Sequence, residues 1–258
     1  SGDAWSRLVA EGGLSATALT QAEITMALAR ANSRAARPAA FVNCAFPDVV
    51  NALVAAEGHA VLSGVGNVGI LSSVFAAALD LEPERLKVLA HYQTLAAFRR
   101  PAQERGGRAP RVWIDGEEVA DVFARFRGVK LTPEPVIDIS GATAVPLVRA
   151  LCAGRSWRGH LPGPAGLPGG YPVVVEDGRA RLDLPEGVSA QEAIAWNASF
   201  EATNGLTVEA DGHVRFNGRL RELLAARDPD LAAGFAIADL DAATRRMNAL
   251  REALMQES

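Results

Sequence analysis

HAVLSGVGNVGILSSVFAAAL, residues 59–79, decides how this chain is read. A short apolar run passes into a loop with glycines at Gly64, Gly66 and Gly69, then into an apolar helix. G-x-G-x-x-G between a strand and a helix is the spacing that a dinucleotide pyrophosphate requires. The first glycine makes the turn, the second admits phosphate to backbone N–H groups, and the third packs helix on strand. Such a site also needs an acidic residue at the end of the next strand to hold the ribose. That strand is RLKVLAHY, residues 85–92, and it ends in Ala90, His91 and Tyr92. Asp80, Glu82 and Glu84 fall too early, in the turn before it. A pyrophosphate cradle with Gly64, Gly66 and Asn67 as cofactor-binding residues is one expectation, and it carries a test: a bulky residue at Gly66 abolishes cofactor binding and spares folding.

Composition sets the wider limits. With 258 residues, 49% of them apolar and 22% charged, the chain can bury the core of one large domain or two small ones. A net charge of −4 and a pI near 5.7 argue against an electrostatic grip on nucleic acid or an anionic membrane. The basic pairs Arg99-Arg100 and Arg245-Arg246 are too short to change this. Cys44 and Cys152 both lie among apolar neighbours and read as buried free thiols, and the four histidines are scattered, so no metal site is expected. No signal peptide and no bilayer-length apolar run is visible, which makes a reducing cytoplasm the expected location.

Along the chain, helix-period and strand-like runs alternate from Leu14 to Leu184, which predicts an α/β layered fold. SATALTQAEITMALARANSRA is a helix starting at Ser15 or Thr17. AAFVNCAF is a buried strand closed by Pro47, and DVVNALVAAEG is a helix stopped by Gly58. The polar stretch RRPAQERGGRAP, residues 99–110, is the best domain boundary or mobile loop. Beyond it, RVWIDGEEVADVFARF reads as a strand and a helix. GATAVPLVRALCAG reads as a helix with Pro146 in its first turn or at a kink. YPVVVEDGRARLDLP and LTVEADGHVRF are hairpins with Asp-Gly turns, separated by a helix from about Ser189. Closing helices start near Asn217 and Ala238.

This order resembles the lactate/malate dehydrogenase and family-four glycosidase superfamily, in the region after its first nucleotide-binding half. FVNCAFPDVVNALV looks like the family's strand ending in Asn-Pro-x-Asp. GVGNVGILSSVFAAALDLEPERLKVLAHYQTL looks like its next strand, glycine turn, helix and strand. DISGATAVPLVRALCAG is similar to the Gly-Ala-Thr helix that walls the substrate pocket, and GLPGGYPVVVEDGRARLDLP to the hairpin ending in Leu-Pro. The resemblance covers roughly residues 38–187. It implies a remnant of a Rossmann-type parallel sheet over residues 1–100, lacking the usual first βαβ unit, followed by an α+β substrate and dimerisation domain over 101–258. The implied cofactor is NAD or NADP, dependent on nucleotide-binding sequence not present in this chain. Homodimers are implied through the helices at residues 68–79 and 144–151. In the family the glycine turn faces substrate and nicotinamide. Hydride transfer to a 2-oxo acid needs a base, a carboxylate that orients it, and an arginine that grips the substrate. Alignment of the motifs puts Gln93 or Thr94 at the base, Asn67 at the carboxylate and Ile70 at the arginine, so the family's own catalytic groups are not matched.

Individual residues carry two readings each. His91 stands three residues from the expected base and is either the general acid/base or a satisfied strand-end histidine. Asp48 accepts a hydrogen bond in the pocket or caps a helix. Asn43 and Asn67 orient a polar ligand or hold turns. Gln93 and Thr94 suit hydrogen-bonding a ligand, and Thr143 belongs to the pocket wall or caps its helix. Arg99 and Arg100 hold an anionic substrate or form a solvated basic pair. Trp113, Trp157 and Trp196 are core or interface anchors. The expectation is that Asn43, Asn67, Thr94 and Thr143 converge on one polar cleft. Two functions follow. One is a divergent NAD(P)-dependent oxidoreductase-like enzyme acting on a small polar metabolite, with His91, Asn67 and Thr94 catalytic and Asn43, Asp48, Gln93, Arg99 and Thr143 binding substrate. The other is a catalytically altered binding or scaffold protein that keeps the pocket and the dimer surface.

Overall fold

A computed structural model describes residues 3–257, without the side chains of 133–137. Asp3 caps the first helix, α1 (Ala4–Gly12), by accepting from the Ser6 amide. A 3-10 turn leads to α2 (Ala18–Arg34), then β1 (Val42–Asn43), α3 (Pro47–Ala56), β2 (Ser63–Gly64) and α4 (Val68–Leu79). β3 (Leu86–Leu89) and the short α5 (Tyr92–Leu95) precede the polar loop. β4 (Arg111–Ile114), β5 (Glu117–Glu118), α6 (Val122–Arg125) and α7 (Pro133–Cys152) follow. Next come β6 (Trp157–Pro162), β7 (Gly170–Glu176), β8 (Arg179–Leu182) and α8 (Ala190–Thr203). The chain closes with β9 (Gly205–Val208), β10 (His213–Asn217), α9 (Gly218–Ala225), α10 (Pro229–Ala232), β11 (Phe235–Ala236) and α11 (Leu240–Gln256).

The mixed α/β class holds, but the expected Rossmann-type sheet does not form. Its parallel element is a single pair of two-residue strands, β1 and β2, with Val42 opposite Ser63 and Asn43 opposite Gly64. The physical reason lies at the strand ends. Asn43 turns its amide back on Ala45, accepting from its N–H and donating to its carbonyl, and Pro47 opens α3 four residues later. The other strands form three separate antiparallel sheets, β3–β4–β5, β6–β7–β8 and β11–β10–β9. A bridge of two backbone hydrogen bonds between Ala90 and Gly170 ties the end of β3 to the start of β7.

Apolar burial falls into three clusters. The first joins α1, α2 and α3 to Leu206, Val214, Phe216 and the closing helices. The second packs α4 against β3, Phe98 and Phe126, where Phe75 stacks on Phe126 at 3.9 Å. The third lies under β6 and β7 with Tyr171, Leu147 and Trp113.

Several local expectations change. RVWIDGEEVADVFARF is a hairpin followed by one helical turn, because Asp115 and Gly116 both take positive φ (53° and 88°), the type I′ geometry that reverses a two-residue loop. Pro146 lies well inside α7, which starts at Pro133 rather than near Gly141. Cys44 and Cys152 are free but exposed: one follows β1 at the turn, the other ends α7. The helix at residues 68–79 turns Val68, Ile70, Leu71 and Phe75 inward against the core, so that apolar face is spent inside the molecule. Among the described residues no helix is long and apolar enough to cross a membrane.

Candidate functional site

The glycine turn is a packed joint. A Cβ on Gly64 would lie inside the Pro47 ring, and one on Gly66 would meet Ser140 Oγ at 2.7 Å. One on Gly69 would press on the His160 carbonyl and on Thr143 at 3.3–3.4 Å. The amides are used as well: Gly66 N–H donates to Thr143 Oγ1 (3.2 Å) and Gly69 N–H to the Gly66 carbonyl (2.7 Å). The spaces beside Gly64 and Gly66 are filled by Pro47 of α3 and Ser140 of α7, so these residues do not fit a dinucleotide at this loop.

The remaining predicted residues are placed as follows. Asn67, at φ 35°, donates its amide to the buried Asp48 carboxylate, whose other oxygen accepts the Tyr92 N–H at 3.1 Å. Burial pushes the Asp48 carboxyl up to about 6, against the pull of these two donors. Asn43 takes part in an interior chain, donating to Asn51 Oδ1 (2.9 Å) and accepting from Thr25 (3.2 Å), and Asn51 donates to the Gly163 carbonyl (2.9 Å). Thr94 donates to the His91 carbonyl (2.7 Å) and Thr143 to the Ser140 carbonyl (2.7 Å). Asp48, Asn67 and the His91–Tyr92 backbone thus meet, while Asn43 in β1 joins α3 one turn further on, at Asn51. Thr143 reaches only the glycine turn. Arg99 is exposed. The single cleft expected from Asn43, Asn67, Thr94 and Thr143 is not formed: their polar atoms bond to the protein itself, and none of the four lines the cavities described at the surface.

Two residues singled out from the sequence, Gln93 and Arg100, open onto a cavity of about 360 Å³. It lies between α5, the polar loop and α8, and Gly106, Gly107, Arg108, Phe200 and Asn204 complete most of its wall. Arg108 is held flat by aromatic faces, 4.6 Å from the Trp196 ring centre and 4.4 Å from that of Phe200. It donates to Ser199 Oγ at 2.5 Å. Burial lowers its pKa, a sign that its charge is poorly solvated. The loop that carries it is anchored from the other side by Arg105, which lies over Phe98 and donates to the Phe126 carbonyl (3.0 Å) and to that of Val129. Among the described residues neither Arg100 nor Arg108 has a carboxylate within ion-pair distance.

Behind Gln93 lies a buried polar network. The Gln93 amide donates to Glu201 Oε1 (3.2 Å), the Asn204 carbonyl (3.1 Å) and the Tyr92 hydroxyl (3.3 Å). Glu201 Oε2 accepts from Ser15 Oγ and the Leu206 N–H, each at 2.6 Å. Even so, burial pushes the Glu201 carboxyl up to about 7. His91 is fully buried, stacked on Phe200 at 4.8 Å, and burial together with Arg108 lowers its pKa to about 3. Its Nε2 stands 3.3 Å from Glu201 Oε1, at an angle that leaves it without a hydrogen bond. Desolvation thus disfavours the charged form of His91 and draws it away from the near-neutral titration expected of an acid/base catalyst.

Arg108, Phe200 and Glu201 were not singled out by the sequence reading, although two signals existed. Glu201 lies on the buried face of α8 with Ala193, Asn197 and Phe200, and an acid on an inward face demands a polar purpose. Arg108 follows two glycines that let a loop fold back. Searches against family models, curated proteins and solved structures each find no match to this chain.

Proposed function

We propose that this chain is a binding protein for a small anionic metabolite, taken up in the cavity beside Gln93. The observation that carries this reading is the pair of guanidinium groups, Arg100 and Arg108, without a carboxylate partner among the described residues, on one concave wall of a protein whose net charge is negative. Arg108 is preorganised by its aromatic seats, so an incoming carboxylate or phosphate meets an oriented fork rather than a mobile chain. The Gln93 amide is spoken for by Glu201, Tyr92 and Asn204, which leaves its carbonyl to accept from a hydroxyl or amine on the same ligand. Small cavities with few convergent polar groups are where such ligands bind.

Calorimetric titration of the chain with inorganic phosphate, malonate, NAD and NADP tests this reading. Binding of phosphate or malonate is expected, weakened roughly 10- to 100-fold in Arg108→Gln by loss of charge-assisted hydrogen bonds. Absence of binding by both small anions, or binding indifferent to Arg108→Gln and Arg100→Gln together, contradicts it.

A second reading, the divergent NAD(P)-dependent oxidoreductase, draws support from the meeting of Asp48, Asn67 and the His91–Tyr92 backbone. It makes His91, Asn67 and Thr94 catalytic and requires a nicotinamide site. It predicts that NAD or NADP binds and that Arg108→Gln leaves that binding unchanged.

A further inference from the structure

Helix α2 is apolar on two opposite faces. One buries Leu19, Ala22, Met26 and Ala29 in the first core. The other leaves Ile24 74% and Leu28 56% exposed, with Ala27 and Ala31 exposed beside them. The spacing 24, 27, 28, 31 is a continuous stripe down one side of a helix. Large apolar residues this exposed at helical spacing are a mark of association.

We infer that this stripe is the contact between two copies of the chain, with the α2 helices antiparallel about a two-fold axis that passes between Ala27 and Leu28. About such an axis Ile24 faces Ala31 of the other copy near the midline of the stripe, while on the flanks Leu28 meets Leu28 and Ala27 meets Ala27, so the two leucines form the apolar centre of the contact. An isologous interface brings each residue on the axis against its own copy in this way. Charge follows the same register. Glu23 and Arg34 project on the same flank of the stripe, and in an antiparallel pair like flanks face each other, so each Glu23 stands near Arg34 of the other copy. Glu23 is steadied within its own chain by Asn248 Nδ2 at 3.1 Å, while Arg34 is exposed and has no carboxylate partner among the described residues. The stripe on α2 shares no residue with the wall of the anion cavity.

One helix pair buries less surface than a standard protein interface, so the dimer is expected to be weak, with a dissociation constant on the order of 10–100 µM. Sedimentation velocity across the micromolar range should show a concentration-dependent monomer–dimer exchange. Leu28→Glu should abolish it with the circular dichroism spectrum unchanged. Glu23→Arg and Arg34→Glu should each weaken association several-fold, and the two together should restore it. A monomer at every concentration overturns the inference, as does a dimer indifferent to Leu28→Glu. Loss of the dimer in Leu28→Glu without rescue by the double charge exchange overturns the antiparallel register.

Discussion

Gly64→Ala is expected to lose roughly 3 kcal/mol of stability, a fall in Tm of roughly 10 °C for a chain of this size, whatever ligand is present. The new methyl would occupy the same space as the Pro47 ring and lie 3.0 Å from the Asn43 carbonyl. Neither neighbour can move cheaply: Pro47 is the first residue of α3, and Asn43 is fixed in β1 and in the Thr25–Asn43–Asn51 chain. Gly106→Ala serves as the control, since its Cβ would meet nothing within 4 Å and its φ is an ordinary one. It should change Tm by no more than a degree or two. A phosphate cradle makes the opposite forecast, a folded variant with lost nucleotide binding. Thermal denaturation of the two variants separates these accounts, and a Gly64→Ala protein as stable as the parent would restore the cradle.

The second large effect is a pair of opposite pH slopes. Glu201 has its folded pKa raised to about 7, so the native state binds a proton there before the unfolded chain does. Its contribution to stability is present below the unfolded value of about 4.3 and is lost as pH rises through 7. His91 has its folded pKa lowered to about 3, so only the unfolded chain takes up that proton near 6.5. Its contribution is present above that unfolded value and is lost as pH falls. Between about pH 5 and 6.5 each state therefore holds one proton of the pair, and the two slopes cancel. Removing one partner exposes the other. Glu201→Gln should lose stability as pH falls through that window, by on the order of 1 kcal/mol per unit, and His91→Gln should gain stability by a similar amount. Asp48, raised to about 6 by burial, adds a gain on acidification to both variants, so the opposition is read from the difference between them. Urea denaturation at several pH values measures it. Parallel profiles would mean that these two side chains are not buried as described.

These expectations show how far the sequence could be read. The helix at 68–79, the helix between Pro47 and Gly58 and both later Asp-Gly hairpins were legible because periodicity, proline, glycine and Asp-Gly turns are local signals. Strand length was not. AAFVNCAF has the composition of a buried strand, yet it pairs over two residues, because Asn43 and the approach to Pro47 turn the backbone away. β6 was missed because Trp157–Pro162 includes Gly159 and ends on a proline, and its pairing with β7 is non-local. The glycine motif was visible, but what fills it comes from Pro47 on one side and Ser140 and Thr143 on the other, distant in sequence. The same holds for the cavity. Gln93 and Arg100 were noticed, whereas their partners Arg108, Phe200 and Glu201 arrive from loop and helix positions that no spacing rule connects to them.

The central claim is that the ligand site is the arginine-walled cavity and not the glycine turn, and titration of isotope-labelled protein with malonate, followed by amide and arginine resonances, tests it most directly. The account predicts saturable shifts at the Gln93 side-chain amide, Gly106, Gly107 and the Arg108 guanidinium, with Gly64, Gly66 and Asn67 unmoved. Shifts centred on Gly64–Gly69 with a silent Arg108 would contradict it.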